Sequence, residues 1–194
     1  MIILAHFKKQ NFTQLVSKLI EIKNQYSINQ YGIEQTLLTL LEQSEVFLNQ
    51  IGKSALESKV STLRSYLTTA INGINPHTLG LIKTNKRKII KSASFHCLFE
   101  LSVILENEIN EVDDTLNDSQ KTLSQVVLSL IQAGGLALEE IVELSSVQDI
   151  AMLWNSLITE NKQIALIDMQ LKQNIIKEDI FLLIQNIINN LKDQ

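Results

Sequence analysis

A single cysteine, a single proline and only six glycines occur in 194 residues. Each scarcity removes a class of protein. One thiol cannot build an intramolecular disulfide framework or a paired-cysteine zinc site. So little proline and glycine leaves too few turn residues for a sandwich or barrel of many short strands. The catalytic signatures are missing as well: there is no GxSxG, P-loop, GxGxxG or HExxH. The Glu-x-x-His pairs of a di-iron bundle are absent too. No run reaches the ~18 apolar residues that a membrane helix requires. The opening Met1–Phe7 puts an apolar stretch of only about four residues ahead of Lys8 and Lys9, the reverse of the order in a secretory signal. These absences predict a cytoplasmic, non-enzymatic protein with no cofactor, no metal and no membrane association.

What the sequence does hold is leucine and isoleucine, 30 and 26 respectively, spaced for helices. Leu56, Val60, Leu63, Leu67, Ala70 and Ile74 step by four and three and fall on one helix face. Ser54 and Glu57 form a capping-box pattern at its start, and Gly73 with Asn75-Pro76 marks its end. Phe12, Leu15, Leu19, Ile22 and Tyr26 predict a first helix capped by Asn11, and Ile33 to Ile51 a second. Pro76 suits the first position of a short helical turn to Ile82. A long helix is predicted from Asn85 or Lys86 to about Asn110, with the stripe Ile90, Ala93, Cys97, Leu101, Ile104. Asp113, Asp114, Asn117 and Asp118 read as a polar link. Further helices are expected over Ser119–Ala133, Leu136–Leu144, Val147–Ile158, Ile164–Leu171 and Ile175–Leu191. The Gly134-Gly135 pair reads as a helix stop, and Trp154 falls among core positions. The predicted fold class is all-α: an antiparallel multi-helix bundle or orthogonal array of seven to nine helices. Residues 1–194 read as one helical domain, with a weak subdivision into 1–112 and 119–194.

Charge is where the sequence is most uneven. Residues 58–99 contain no acid and carry a net +7, whereas residues 100–149 carry eleven acids against Lys121 alone. The basic charge gathers at Lys83, Lys86, Arg87, Lys88 and Lys91. On a helix Lys83, Arg87 and Lys91 align at i, i+4 and i+8, where like charges repel by a few tenths of a kcal/mol per pair. A phosphate backbone relieves that repulsion, and Thr84 and Asn85 offer hydrogen bonds to phosphate. The plain alternative is that the acids of the same fold neutralise the patch. Glu106, Glu108, Glu111, Asp113, Asp114 and Asp118 have the mirror ambiguity: a solvated helix end, or a surface for a basic partner in the manner of an antitoxin or immunity protein.

The remaining chemistry-bearing residues are few. His96 and Glu100 are four apart and suit a local pair, while Cys97 lies in the apolar stripe and reads as a buried, inert thiol. Phe95 and Phe99 flank that stripe; exposed, they would mark a binding groove. The reading that follows is a helical subunit or adaptor whose partner is another protein, with DNA or RNA binding through 83–91 as the alternative. Homo-oligomerisation is left open.

Overall fold

The computed structural model describes residues 4–137, 144 and 146–192. It is all-helical, 80% helix, and the described residues form seven helices. These are α1 (Ala5–Ser27), α2 (Ile33–Gln50), α3 (Ser54–Ile71), α4 (Lys86–Gln132), α5 (Val147–Glu160), α6 (Lys162–Leu171) and α7 (Lys177–Lys192). The helix expected over Leu136–Leu144 lies outside the described residues, apart from its ends. The chain divides into two compact units. One is Gln10–Asn110; the other joins the start of α1 to the chain from Glu111 onward.

The first unit is built as the periodicity dictates. Phe12, Leu19 and Ile22 of α1, Leu37, Leu41 and Leu48 of α2, Val60 and Leu67 of α3, and Cys97, Leu101 and Leu105 of α4 are all buried. Phe12 meets Phe47 edge to face, with ring centroids 5.0 Å apart. The α2–α3 connection is a glycine-capped stop. Gly52 takes φ +76° and donates to Asn49 O at 3.0 Å, while Lys53 N–H reaches back to Leu48 O at 2.9 Å. The capping box expected at Ser54 does not form: Lys53 is the N-cap, without a side-chain cap bond. The helix expected from Pro76 to Ile82 is reduced to a single turn, with Leu79 N–H on Asn75 O at 2.8 Å. Residues 72–85 fold instead as a tight loop closed by an isolated bridge between Ile74 and Leu81, with Asn75 N–H on Gly80 O at 2.8 Å.

The larger departure is α4, which runs unbroken for 47 residues through the acids that read as a link. The physical reason is that the apolar spacing never stops. Val112, Leu116, Ser119 and Leu123 are buried at steps of four, three and four, and Asp113 is taken up by Lys9 at 2.8 Å. The change of unit thus falls within a helix and not at a linker. The helix α4 ends at Gln132, just before the glycine pair, where Gly134 takes φ +70°.

In the second unit Trp154 is buried, and its indole N–H donates to Asp168 Oδ1 at 3.0 Å. Asp168, itself buried, also accepts from Lys172 one turn on. Replacing Asp168 with alanine leaves the indole N–H unsatisfied in the core, at a cost of about 1–3 kcal/mol. Urea unfolding followed by Trp154 fluorescence is expected to show that loss.

A second buried carboxylate explains where α1 begins. Asp179, in the first turn of α7, is 0% exposed. It accepts Ala5 N–H at 2.8 Å, His6 N–H at 3.1 Å and His6 Nδ1 at 2.6 Å. A residue 174 positions away thereby caps the first helix, which starts six residues before the expected Asn11 cap. Burial alone would raise the Asp179 carboxyl. The His6 side-chain hydrogen bond, the backbone N–H groups of Ala5 and His6, and the charge of His6 outweigh it and hold the carboxyl below the ordinary aspartate value.

Candidate functional site

The site that the charge pattern points to is the start of α4. Asn85 precedes the helix in the left-handed region, φ +58°, and its carbonyl accepts Lys88 N–H at 2.9 Å and Ile89 N–H at 3.1 Å. No acid stands in the first turn; Lys86, Arg87 and Lys88 stand there instead. A helix N-terminus carries about half a positive charge, which favours anions there and disfavours cations. The sequence thus places three cations where the backbone is already positive.

Lys83, Lys86, Arg87, Lys88 and Lys91 are all exposed. Among the described residues none of them lies within ion-pair distance of a carboxylate. Lys91 has neutral partners: its ammonium meets the side-chain oxygen of Asn29 and sits 5.5 Å above the Tyr26 ring. The Tyr26 hydroxyl returns a hydrogen bond to the Lys91 carbonyl at 3.1 Å.

The acids of the following block find other cations. Glu106 faces Lys23 at 3.8 Å, Glu108 binds Lys53 at 3.1 Å, and Asp113 binds Lys9. Asp118 pairs with Lys121 one turn away at 3.1 Å. Glu108 is only 7% exposed, so it ties α4 to the α2–α3 connection and is withdrawn from any surface offered to a basic partner. Glu111 and Asp114 stay exposed and, with Asp118, line a shallow cleft shared with Gln170 and Asn174.

Beside the cations lies a cleft of about 50 Å³ lined by Tyr26, Asn29, Gln30, Glu34, Arg87, Lys91 and Ser94, with Ile33. Ser94 is 2% exposed, and its hydroxyl has no hydrogen-bond partner. Such a buried orphan is uncommon in a folded protein. Glu34 is the one acid on the cleft wall. Sequence reasoning passed over Ser94, although the signal was there: Arg87, Lys91 and Ser94 stand at i, i+4 and i+7, one helix face.

Phe95 and Phe99 are exposed, 59% and 58% respectively. They continue the helix face that starts at Lys88, and Phe95 leans on Tyr26 with ring centroids 6.2 Å apart. His96 does not pair with Glu100. Its ring stands edge-on to Tyr66 at 5.3 Å, and the Tyr66 hydroxyl shares a 2.7 Å hydrogen bond with His77 Nε2. Turning to the aromatic ring leaves no local carboxylate–imidazole pair. Among the described residues no three of His, Cys, Asp or Glu gather closely enough to hold a metal ion. No helix there is long and apolar enough to cross a membrane.

Cys97 is fully buried and points its Sγ at Leu63 O, 3.4 Å away. Burial pushes its thiol up to about 12. Thiolate is the reactive form, so Ellman's reagent is expected to label under about a tenth of the native thiol in the time that it labels the denatured protein completely.

Fold and site together define an all-α protein with one cationic face that its own described acids leave unneutralised. No protein-family model, curated protein or solved structure matches the chain.

Proposed function

We propose that this is a non-enzymatic helical interaction protein, an adaptor or subunit, whose cationic face at 83–91 binds nucleic acid. The helices of each unit serve it as an antiparallel bundle that holds this face rigid. One observation carries the reading: five exposed cations cluster at an acid-free helix start, while the neighbouring acids pair with Lys9, Lys23, Lys53 and Lys121. Such a surface raises the free energy of the unbound protein, and a polyanion lowers it by neutralising the charge and releasing counterions. The acidic block supports a basic partner less well, because Glu106, Glu108, Asp113 and Asp118 already pair with lysines of the same fold.

An acidic protein would suit the same cations, so the test must separate the two. Fluorescence anisotropy with labelled single-stranded and duplex DNA and RNA, at low and moderate salt, is expected to give micromolar or tighter binding. Poly-glutamate is expected to compete weakly. Tight binding of poly-glutamate with no binding of any nucleic acid would assign the surface to an acidic protein instead.

A further inference from the structure

The cations are continuous with a pair of exposed aromatic rings, and that continuity narrows the class of ligand. Lys88, Ser92, Phe95 and Phe99 follow one another at steps of four, three and four, the spacing of a single helix face. Phe95 and Phe99 are more than half exposed and, one turn apart, are offset by about 6 Å along the axis. Duplex bases are stacked on one another and closed to such rings. Unpaired bases each present a face, and stacking on aromatic side chains beside a basic groove is the general mode of single-strand binding. Next to Phe95 the cleft supplies a place for phosphate: Arg87 and Lys91 provide two positive charges against the single carboxylate of Glu34, and the buried, unpartnered Ser94 hydroxyl provides a donor.

We infer that the ligand of this face is single-stranded nucleic acid, with bases on Phe95 and Phe99 and a backbone phosphate in the cleft of Arg87, Lys91 and Ser94. The inference rests on the nucleic-acid reading above and adds strand state to it. It accounts for two features that charge alone does not: large apolar rings held in water, and a buried hydroxyl left without a partner.

The test compares wild type with the F95A/F99A double variant on three labelled or competing probes: an oligo-dT of about 15 nucleotides, the matching duplex, and heparin. Both rings are exposed, so the double variant is expected to keep the wild-type unfolding curve. Losing two stacked bases is expected to weaken oligo-dT binding by at least about 20-fold, while duplex and heparin affinities stay within about twofold. The Phe95→Trp variant is expected to keep the affinity and to show indole fluorescence quenched as oligo-dT is added. If oligo-dT binds the double variant as tightly as wild type, or if wild type prefers duplex, the single-strand inference falls while the nucleic-acid reading survives. If wild type binds none of the three probes, both fall. Binding only to phosphatidylserine vesicles, lost on truncating the exposed Leu79 and Leu81, would likewise overturn both and give the face to a membrane.

Discussion

Asp179→Ala is expected to destabilise the protein by about 3–5 kcal/mol, the usual cost of removing one partner from a buried charged network. The carboxylate is fully buried and holds three donors, two of them the backbone N–H groups of Ala5 and His6. Alanine leaves those N–H groups orphaned and removes a negative charge from the N-terminal ends of both α1 and α7. Asp179→Asn keeps the shape and one acceptor, but turns an amide NH2 toward donors, and is expected to lose somewhat less. The sign of the pH dependence follows from the depressed carboxyl. The folded Asp179 titrates below the ordinary value of 3.8, so its contribution is fully present above that value. It is lost as pH falls through the folded-state pKa. His6 is the ionisable partner from α1. Urea unfolding of wild type and D179N between about pH 7 and pH 2, read through Trp154 in the same unit, checks both magnitude and sign. Equal stability of the two proteins at pH 7 would show that the network does not hold the start of α1.

The K86A/R87A/K88A variant is expected to move binding and stability in opposite directions. Three lost phosphate contacts make the salt slope on single strands shallower by about two units, which corresponds to roughly 100-fold weaker binding near 0.1 M salt. Stability, by contrast, is expected to hold or rise by about 1 kcal/mol at low salt. The variant removes like-charge neighbours and relieves cations of the positive helix end. The gain should shrink as salt screens the repulsion. A variant that unfolds more easily would mean that these side chains are paired with acids after all.

Local periodicity made much of this architecture legible. α2 and α3 appear where Ile33 to Ile51 and Leu56 to Ala70 place them, and Lys86 to Lys91 open a helix as expected, whereas Lys83 lies in the loop before Asn85 and does not join the row of Arg87 and Lys91. Where the reading failed, long-range partners decided. Asp113, Asp114 and Asp118 look like a linker until Lys9 and the buried Val112, Leu116 and Leu123 carry α4 through them. The start of α1 depends on Asp179, near the other end of the chain, and no local cap announces it. The candidate site divides in the same way. Its five cations could be found by counting charges. That the neighbouring acids would turn to Lys9, Lys23 and Lys53 depends on tertiary placement. The orphaned Ser94 hydroxyl is visible only once α1 and α2 close the cleft beside it.

The most direct measurement is the salt dependence of wild-type binding to a labelled single-stranded oligonucleotide. With three to five cations on phosphate, the logarithm of the association constant should fall against the logarithm of salt with a slope of about −2 to −3.5. Affinity should be micromolar or tighter at the lowest salt. No binding at about 50 mM salt, or a slope near zero, would contradict the account and leave the cationic face without a polyanionic ligand.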